Sequence, residues 1–328
     1  MSEFRVVTCN PDDALFDAAL SNIYPDGIYP KKEIDEAHYR QGFVVMLGEE
    51  PYGGLVLYQN SSIGHNGKAT ALFGNFECRK DANASNDLID AATKYSRSIN
   101  AEFVIGPMNG STWNQYRFIT EHGELPSYFT EQNHPPYYPK LWLDAGFKVV
   151  HEYVSNLVPI QKSNSDSKAF LEKHDLTIRK VDADSLDEDL EEIYPLCQAA
   201  FSGSPFFSPI DREQFFNKLL LLKPVISKGF TRIVSDGNSK PVAFILCFPD
   251  VLDPNGKTLV LKTAAKSKEH DIPGLISALH QSIMEEAREV GFEQIIHAFM
   301  HVQNRSLIRS KEMNGSTIRK YSLFLKEC

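Results

Sequence analysis

Short apolar runs bounded by Gly, Pro, Asn and Asp alternate along the chain with stretches whose apolar residues recur at helical spacing. In the first half, 4–7 reads as a strand, 11–20 as a helix and 31–40 as a second, short helix. The runs 43–47 and 53–58 flank a turn-like GEEPY and predict a hairpin. A strand over 70–78 follows. Leu88, Ala92, Tyr95 and Ile99 then place one apolar face on a helix over 86–100, capped by Ser85 or Asn86. A strand over 102–108 comes next.

The second half repeats this order at an offset of about 170–190 residues, in elements and not in letters. It offers a strand at 176–181, helices at 190–201 and 211–222, and a hairpin of 231–234 with 242–248. A strand at 258–265, a long helix at 272–290 and a strand at 293–300 complete the order. Pro273 suits the first turn of that helix and Gly291 its end. Between the halves, 161–168 is polar, Ser-rich and free of apolar residues, as a surface linker is. The predicted organisation is a domain over 1–160, a linker over 161–168 and a domain over 169–328, each large enough to bury its own core.

Composition narrows the classes. The chain has 328 residues, 42% hydrophobic and 23% charged, which excludes collagen-like and wholly disordered readings. A net charge of -9 argues against a nucleic-acid or polybasic membrane partner. No apolar run reaches the roughly 18 residues that span a bilayer, and the N-terminus has no leader pattern. Five widely spaced cysteines without a C-x-x-C pair predict neither a disulfide framework nor a zinc site. The expectation is a protein of the reducing cytoplasm with no metal.

Several phrases carry a resemblance. The run 296–306, IHAFMHVQNRS, contains Asn304 and Ser306, and 319–324, RKYSLF, contains Arg319 and Tyr321. The first half carries GPMNGST at 106–112, PPYYP at 135–139 and DAGF at 144–147. With the element order, these resemble the GNAT-type N-acetyltransferases in tandem form. The resemblance implies an α/β (α+β) chain of two GNAT-like domains. Each would be a mixed, mostly antiparallel central sheet flanked by helices. The implied activity is transfer of an acetyl group from acetyl-CoA, or another acyl group from its acyl-CoA, to an amine of a small-molecule acceptor.

Such a site needs a strand edge for the pantetheine amides and helix-start N–H groups for the diphosphate. In the second half the resemblance places them at Thr263, Ala264, Ala265, Lys268, His270, Pro273 and Gly274, with Asn304 and Ser306 at the next helix. The family's phosphate loop, Gln/Arg-x-x-Gly-x-Gly/Ala, becomes Arg79-x-x-Ala82-x-Ala84 in the first half. In the second it becomes His270-x-x-Pro273-x-Leu275. Lys262, Lys266, Lys268 and His270 cluster near the second loop, which favours the second half as the donor site and leaves the first as the degenerate one. Counting from Asn304 to the family's acid position reaches Lys311; Tyr321 is the other candidate acid. Asn109, Tyr137 and Tyr138 are candidate acceptor contacts, or else a turn and a packed aromatic loop. Asn304 suits a helix cap, a ligand contact, or both. His297 and His301 lie on one strand face, too far apart along it to chelate readily. Two other classes fit the same residues. One is a non-catalytic acyl-CoA or small-ligand binding module. The other is an aminoacyl transferase, which the acidic balance disfavours.

Overall fold

The computed structural model describes residues 3–10, 12–24, 33–162, 166–182, 184–270 and 272–328. The first half runs β1 (Phe4–Cys9), α1 (Ala14–Ile23), β2 (Tyr39–Leu47), β3 (Glu50–Tyr58), β4 (Gly64–His65), β5 (Lys68–Cys78) and α2 (Ala82–Ser98). It continues through β6 (Phe103–Gly106), β7 (Phe118–Glu121), α3 (Tyr138–Asp144) and β8 (Lys148–Pro159). The second half runs α4 (Ser167–Lys173), β9 (Thr177–Lys180), α5 (Leu186–Phe201), α6 (Arg212–Leu220), α7 (Lys223–Ile226), β10 (Arg232–Ser235) and β11 (Pro241–Pro249). It closes with β12 (Thr258–Lys266), α8 (Leu275–Glu289), β13 (Gln294–His301), α9 (Arg305–Glu312) and β14 (Ser316–Glu327).

The strands form one fourteen-stranded sheet with the central order β1-β2-β3-β5-β6-β14-β8-β13-β12-β11-β10-β9. Pairing is antiparallel except for β5 with β6 and β12 with β13. The repeat is visible in this order, because each half contributes a meander that turns parallel at its last pair. The closing strands are exchanged. The strand beside β6 is β14, from the end of the chain, and the strand beside β13 is β8, from the first half. The two exchanged strands pair with each other from Ser316↔Leu157 to Leu325↔Lys148.

The cores are accordingly shared. Phe324 of β14 packs with Trp142, Phe118 and Phe147 beneath α2 and α3. Tyr321 and Leu323 lie under α1 with Phe16, Met46 and Leu72. In the second half, α8 covers one face through Leu275, Leu279 and Ile283. Helices α5 and α6 cover the other, where Tyr128 of the first half joins Phe215, Phe248 and Ile296.

Four local expectations shift. In 33–40 the chain forms a turn and then enters β2, because Tyr39 pairs across to Tyr58; there is no helix there, and 31–32 lie outside the described residues. Helix α2 is capped by Asp81, whose carboxylate accepts from the N–H groups of Asn83 and Ala84, and not by Ser85 or Asn86. Helix α8 starts at Leu275, so Pro273 precedes it. In the stretch 161–168, Gln161 and Lys162 are irregular, 163–165 lie outside the described residues, and Asp166 caps α4 by accepting from Ala169 N–H.

Candidate functional site

Strands β12 and β13 pair only from Thr258↔Gln294 to Leu261↔His297. Past that point they diverge, and local irregularities explain why. The β11–β12 register shifts between Leu246/Cys247, which leaves Lys262 as the extra residue of a bulge. On β13 the register against β8 shifts between His297 and Met300, and Phe299 takes a left-handed φ of 56°. Thr263, Ala264 and Ala265 stay bonded to β11 through Leu246, Ile245 and Phe244, while no strand pairs with their other edge.

That edge leads into a tight turn. Ile272 N–H donates to His270 O at 2.9 Å, and Leu275 N–H reaches Ile272 O at 3.3 Å. Gly274 is the N-cap of α8 with φ +88°, a conformation that costs glycine little, and among the described residues no side chain caps the helix. Pro273 and Gly274 are exposed. His270 Nε2 lies 3.4 Å from Asp236 Oδ2, and Lys268 Nζ donates to Ser202 Oγ at 2.8 Å. Residues 263–274 follow this unpaired edge into the start of α8, with Asp271 outside the described residues.

The equivalent junction in the first half is shut. Strands β5 and β6 pair through Leu72↔Ile105, and Met108 N–H then donates to Phe73 O at 2.7 Å. Asn75 N–H donates to Asn109 Oδ1 at 2.8 Å. A Cβ on Gly74 would lie 2.6 Å from Met108 O and closer still to Asn109 Oδ1, so the backbones touch where the second half gapes. At the start of α2, the Asp81 carboxylate occupies the amides that would face a diphosphate.

The first half keeps a different feature, a cavity of about 50 Å³ lined by Phe16, Asn75, Glu77, Asn109, Tyr116 and His134, among others. Glu77 is buried, and its Oε2 accepts from Tyr24 Oη at 2.9 Å and from Tyr138 Oη at 2.5 Å. Burial pushes its carboxyl up to about 7, against the two hydroxyls that favour the anion. Opposite, Ile119 N–H donates to His134 Nε2 at 2.7 Å, and His134 Nδ1 lies 3.0 Å from Pro135 O. The ring is therefore neutral, with burial holding its pKa down at about 4. Of the candidate acceptor contacts, Asn109 lines this cavity, Tyr138 holds Glu77, and Tyr137 pins the loop by donating to Cys78 O at 2.9 Å.

The remaining candidates separate. Asn304 is the N-cap of α9, accepting from Ser306 N–H at 3.3 Å; both residues are exposed. Lys311 is on the solvent face of α9, where Ser310 takes the inward position and receives Asn156 Nδ2 at 3.1 Å. Tyr321 is buried, and its hydroxyl donates to Glu131 Oε1 at 2.5 Å while meeting Tyr128 Oη and Ser155 Oγ at 3.0 and 3.1 Å. Glu131 is in turn paired with Arg319 at 3.1 Å. Burial, then the neighbouring Tyr128 and Glu131, drive the Tyr321 hydroxyl far above its ordinary value, so this tyrosine stays protonated at the hub of a buried hydrogen-bond network. His297 and His301 face different partners, His280 and His151, each ring nitrogen pair 3.0 Å apart. Among the described residues, no group of three His, Cys, Asp or Glu side chains is placed to hold a metal, and no helix is long and apolar enough to cross a membrane.

Two groups escaped the sequence reading. Glu77 sits near the end of the strand read over 70–78 but is recognisable only through Tyr24 and Tyr138, 53 and 61 residues away. Arg117 follows β6 on a backbone of φ +73° and is buried among aromatic rings.

No protein-family model matches the chain, and no curated protein matches it in sequence. Solved structures do match its fold. The N-acetyltransferase region of a fungal multi-domain GH3 β-N-acetylglucosaminidase, described as a GCN5-related glucosamine N-acetyltransferase, aligns with a TM-score of 0.61 at 12% identity. It covers 98% of this chain, which spans only 38% of that one. A tandem GNAT protein from the clavulanic acid biosynthesis pathway aligns at 0.56 and 11% identity, covering 99% of this chain and 98% of its own. A GCN5-related N-acetyltransferase from Sphaerobacter thermophilus aligns at 0.54 and 11% identity, covering 100% and 96%. With one parallel junction in each half and closing strands that complete a single sheet, the chain has the tandem fold of the GCN5-related (GNAT) N-acetyltransferases.

Proposed function

We propose that the second half binds an acyl-CoA and transfers its acyl group to the amine of a small molecule. The observation that carries this reading is the asymmetry of the two junctions. Strands β12 and β13 part after Leu261↔His297 and lead to a helix without a side-chain cap, whereas β5 and β6 stay closed and α2 is capped by Asp81.

The chemistry assigns tasks to these parts. The thioester supplies an activated acyl carbon. The edge of Thr263–Ala265 offers main-chain N–H and C=O groups to the pantetheine amides, as an added strand would. The first-turn amides of α8 and the helix dipole, roughly half a charge, favour the diphosphate. Lys268 and His270 border that turn and add positive charge when protonated. The narrowing junction at Leu261 and His297 stops the arm and fixes the thioester beside the Lys262 bulge, which is positioning by shape. The first half supplies β8 behind β13 and the loop that carries Arg117.

A module that binds the donor without transfer is the second reading. The exposure of Lys311 and the commitment of Tyr321 to Glu131 favour it, because neither then delivers a proton to a leaving thiolate. Thermal unfolding tests the donor site. Acetyl-CoA at about 100 times its Kd is worth about 2.7 kcal/mol, or about 4 °C for a chain of this size. Pro273→Asp places a carboxylate at the α8 start and is expected to abolish the increment. No increment at millimolar acetyl-CoA overturns the proposal. An increment that survives Pro273→Asp but vanishes in Arg79→Glu moves the site to the first half. An increment without thiol release over a panel of amines selects the binding module.

A further inference from the structure

Arg117 is 8% exposed, and its Nη1 is buried with no hydrogen-bond partner. Its Cζ lies over the rings of Tyr116 at 3.9 Å, Tyr153 at 4.4 Å and Phe299 at 4.6 Å. The rings attract the charge through their faces but give Nη1 no oxygen or nitrogen acceptor. A guanidinium does not shed its proton in a protein, so burial cannot neutralise it.

A second cation meets the same ring. Lys262 Nζ lies 5.2 Å from the Phe299 centroid, at the bulge where the β12–β13 opening begins. Desolvation, then the charge of Arg117, push its pKa down to about 8, which leaves it mostly protonated at neutral pH. The same guanidinium adds to burial in holding down His301. The carboxylate behind Tyr321, Glu131, is already committed to Arg319 and to the Tyr321 hydroxyl. Two cations therefore converge on one aromatic ring with no ion-pair partner among the described residues, in a chain whose net charge is -9. An acidic protein has no general reason to do this, and two uncompensated charges in one desolvated place are costly.

We propose that Arg117 and Lys262 form a carboxylate-binding site at the mouth of the second-half opening. The flat guanidinium, hemmed by rings within 4.6 Å of Cζ, suits a planar carboxylate that meets its N–H edge better than a tetrahedral phosphate. Lys262, half-buried at the bulge and over the Phe299 ring, supplies the second charge. The carboxylate belongs to the acyl acceptor, which is thereby an amine that also carries a carboxylate; this assignment, unlike the anion site itself, rests on the acyl-transfer reading.

Thermal unfolding of the full chain with propionate, propionamide or inorganic phosphate, at matched ionic strength and tens of millimolar probe, tests the site. Propionate is expected to raise Tm and propionamide is not. The increment should vanish in Arg117→Met and shrink in Lys262→Met. Equal increments from propionate and propionamide, or a propionate increment that persists in both variants, overturn the site. A larger increment from phosphate overturns its carboxylate specificity. If Arg117→Met does not fold, Lys262→Met, which keeps the length of the stem and removes the charge, decides. In the transfer assay β-alanine should be preferred over β-alaninamide, and Arg117→Met should raise the KM for β-alanine by at least about tenfold, the loss of one charge-assisted hydrogen bond; equal use of the two amines overturns the acceptor assignment. Absence of an acetyl-CoA increment in the unmodified chain defeats the acyl-transfer reading alone, and absence of a propionate increment defeats the anion site alone.

Discussion

Replacing Glu77 by Gln isolates the free energy of one buried carboxyl group. Tyr24 and Tyr138 both donate to Oε2, so the Gln carbonyl oxygen can take that place and keep both hydroxyls satisfied. What changes is the proton. The folded chain holds the Glu77 proton up to about 7, while the ordinary value is 4.5. The folded state therefore binds more protons than the unfolded state between these values. Its stability contribution is complete below 4.5 and is lost as pH rises through 7. A shift of that size at 1.36 kcal/mol per unit is about 3 kcal/mol, and at the entropy expected for 328 residues it moves Tm by about 4 °C. Differential scanning calorimetry of both chains at pH 5 and pH 8 reads the effect. At pH 5 Glu77→Gln should melt only about 1 °C higher, since the unfolded carboxyl is already mostly ionised there, and at pH 8 about 4 °C higher. Taking the difference between the chains cancels the buried histidines His134, His280 and His297, which titrate in both. A gap independent of pH would refute the argument, because it would mean that the hydroxyls hold Glu77 ionised at its usual value. Glu77→Leu serves as the contrast: it strands both hydroxyls and should lower Tm at every pH.

Two further substitutions probe the closed junction of the first half. Gly74→Ala drives a methyl group to 2.6 Å from Met108 O and should cost about 1–3 kcal/mol by overpacking; an unchanged urea midpoint would mean that β5 and β6 are not in contact there. Asp81→Ala removes the α2 cap and should cost about 1 kcal/mol without adding to the acetyl-CoA increment, since the strands remain shut. A larger acetyl-CoA increment in that variant would show that the Asp81 carboxylate alone had barred the first half.

The meanders, the hairpins and the long helices were legible because each is decided by neighbours in sequence. The hairpin turning at Gly48 and the apolar face of α8 needed nothing more. The segment 33–40 was misread because its polar residues carry no strand pattern until Tyr39 meets Tyr58. Strand exchange was invisible for another reason. The alternation in β8 and β14 says which face is buried and is silent about which partner lies alongside. Of the site, the strand edge 263–265 and the turn at 270–274 could be read, since the signal is a strand followed by a helix start. Motif counting reached Lys311 on the solvent face of α9, since a count along the sequence does not register that the neighbouring Ser310 is the residue turned inward to Asn156. Arg117 could not be found at all. Arginine is seldom buried, and its cage is assembled from Tyr116, Tyr153 and Phe299, which lie on three separate segments.

The exchange also explains why a half without an open junction is retained. If β8 flanked β6 and β14 flanked β13, each half would be a closed unit, and a first half with shut strands and a capped helix would have no bearing on the second. Instead β8 backs β13 from Gln294↔Pro159 to His301↔Tyr153, and Ser155 Oγ accepts from the Phe299 N–H at 3.1 Å. That bond lies at the residue whose left-handed backbone turns β13 away from β12. The Tyr153 ring, at the last residue of the same pairing, forms a wall for Arg117, which arrives on a loop anchored by its own N–H to Pro107 O at 2.9 Å. The opening in the second half is thus shaped by the first. The closed junction is part of that support, because the contact of Met108 with Phe73 fixes the start of the loop that delivers Arg117. A first half with its own gaping junction would leave that loop without its anchor. On this argument the asymmetry between the halves is a structural dependence: one junction is open, and the other is shut so that it can hold the wall of the first.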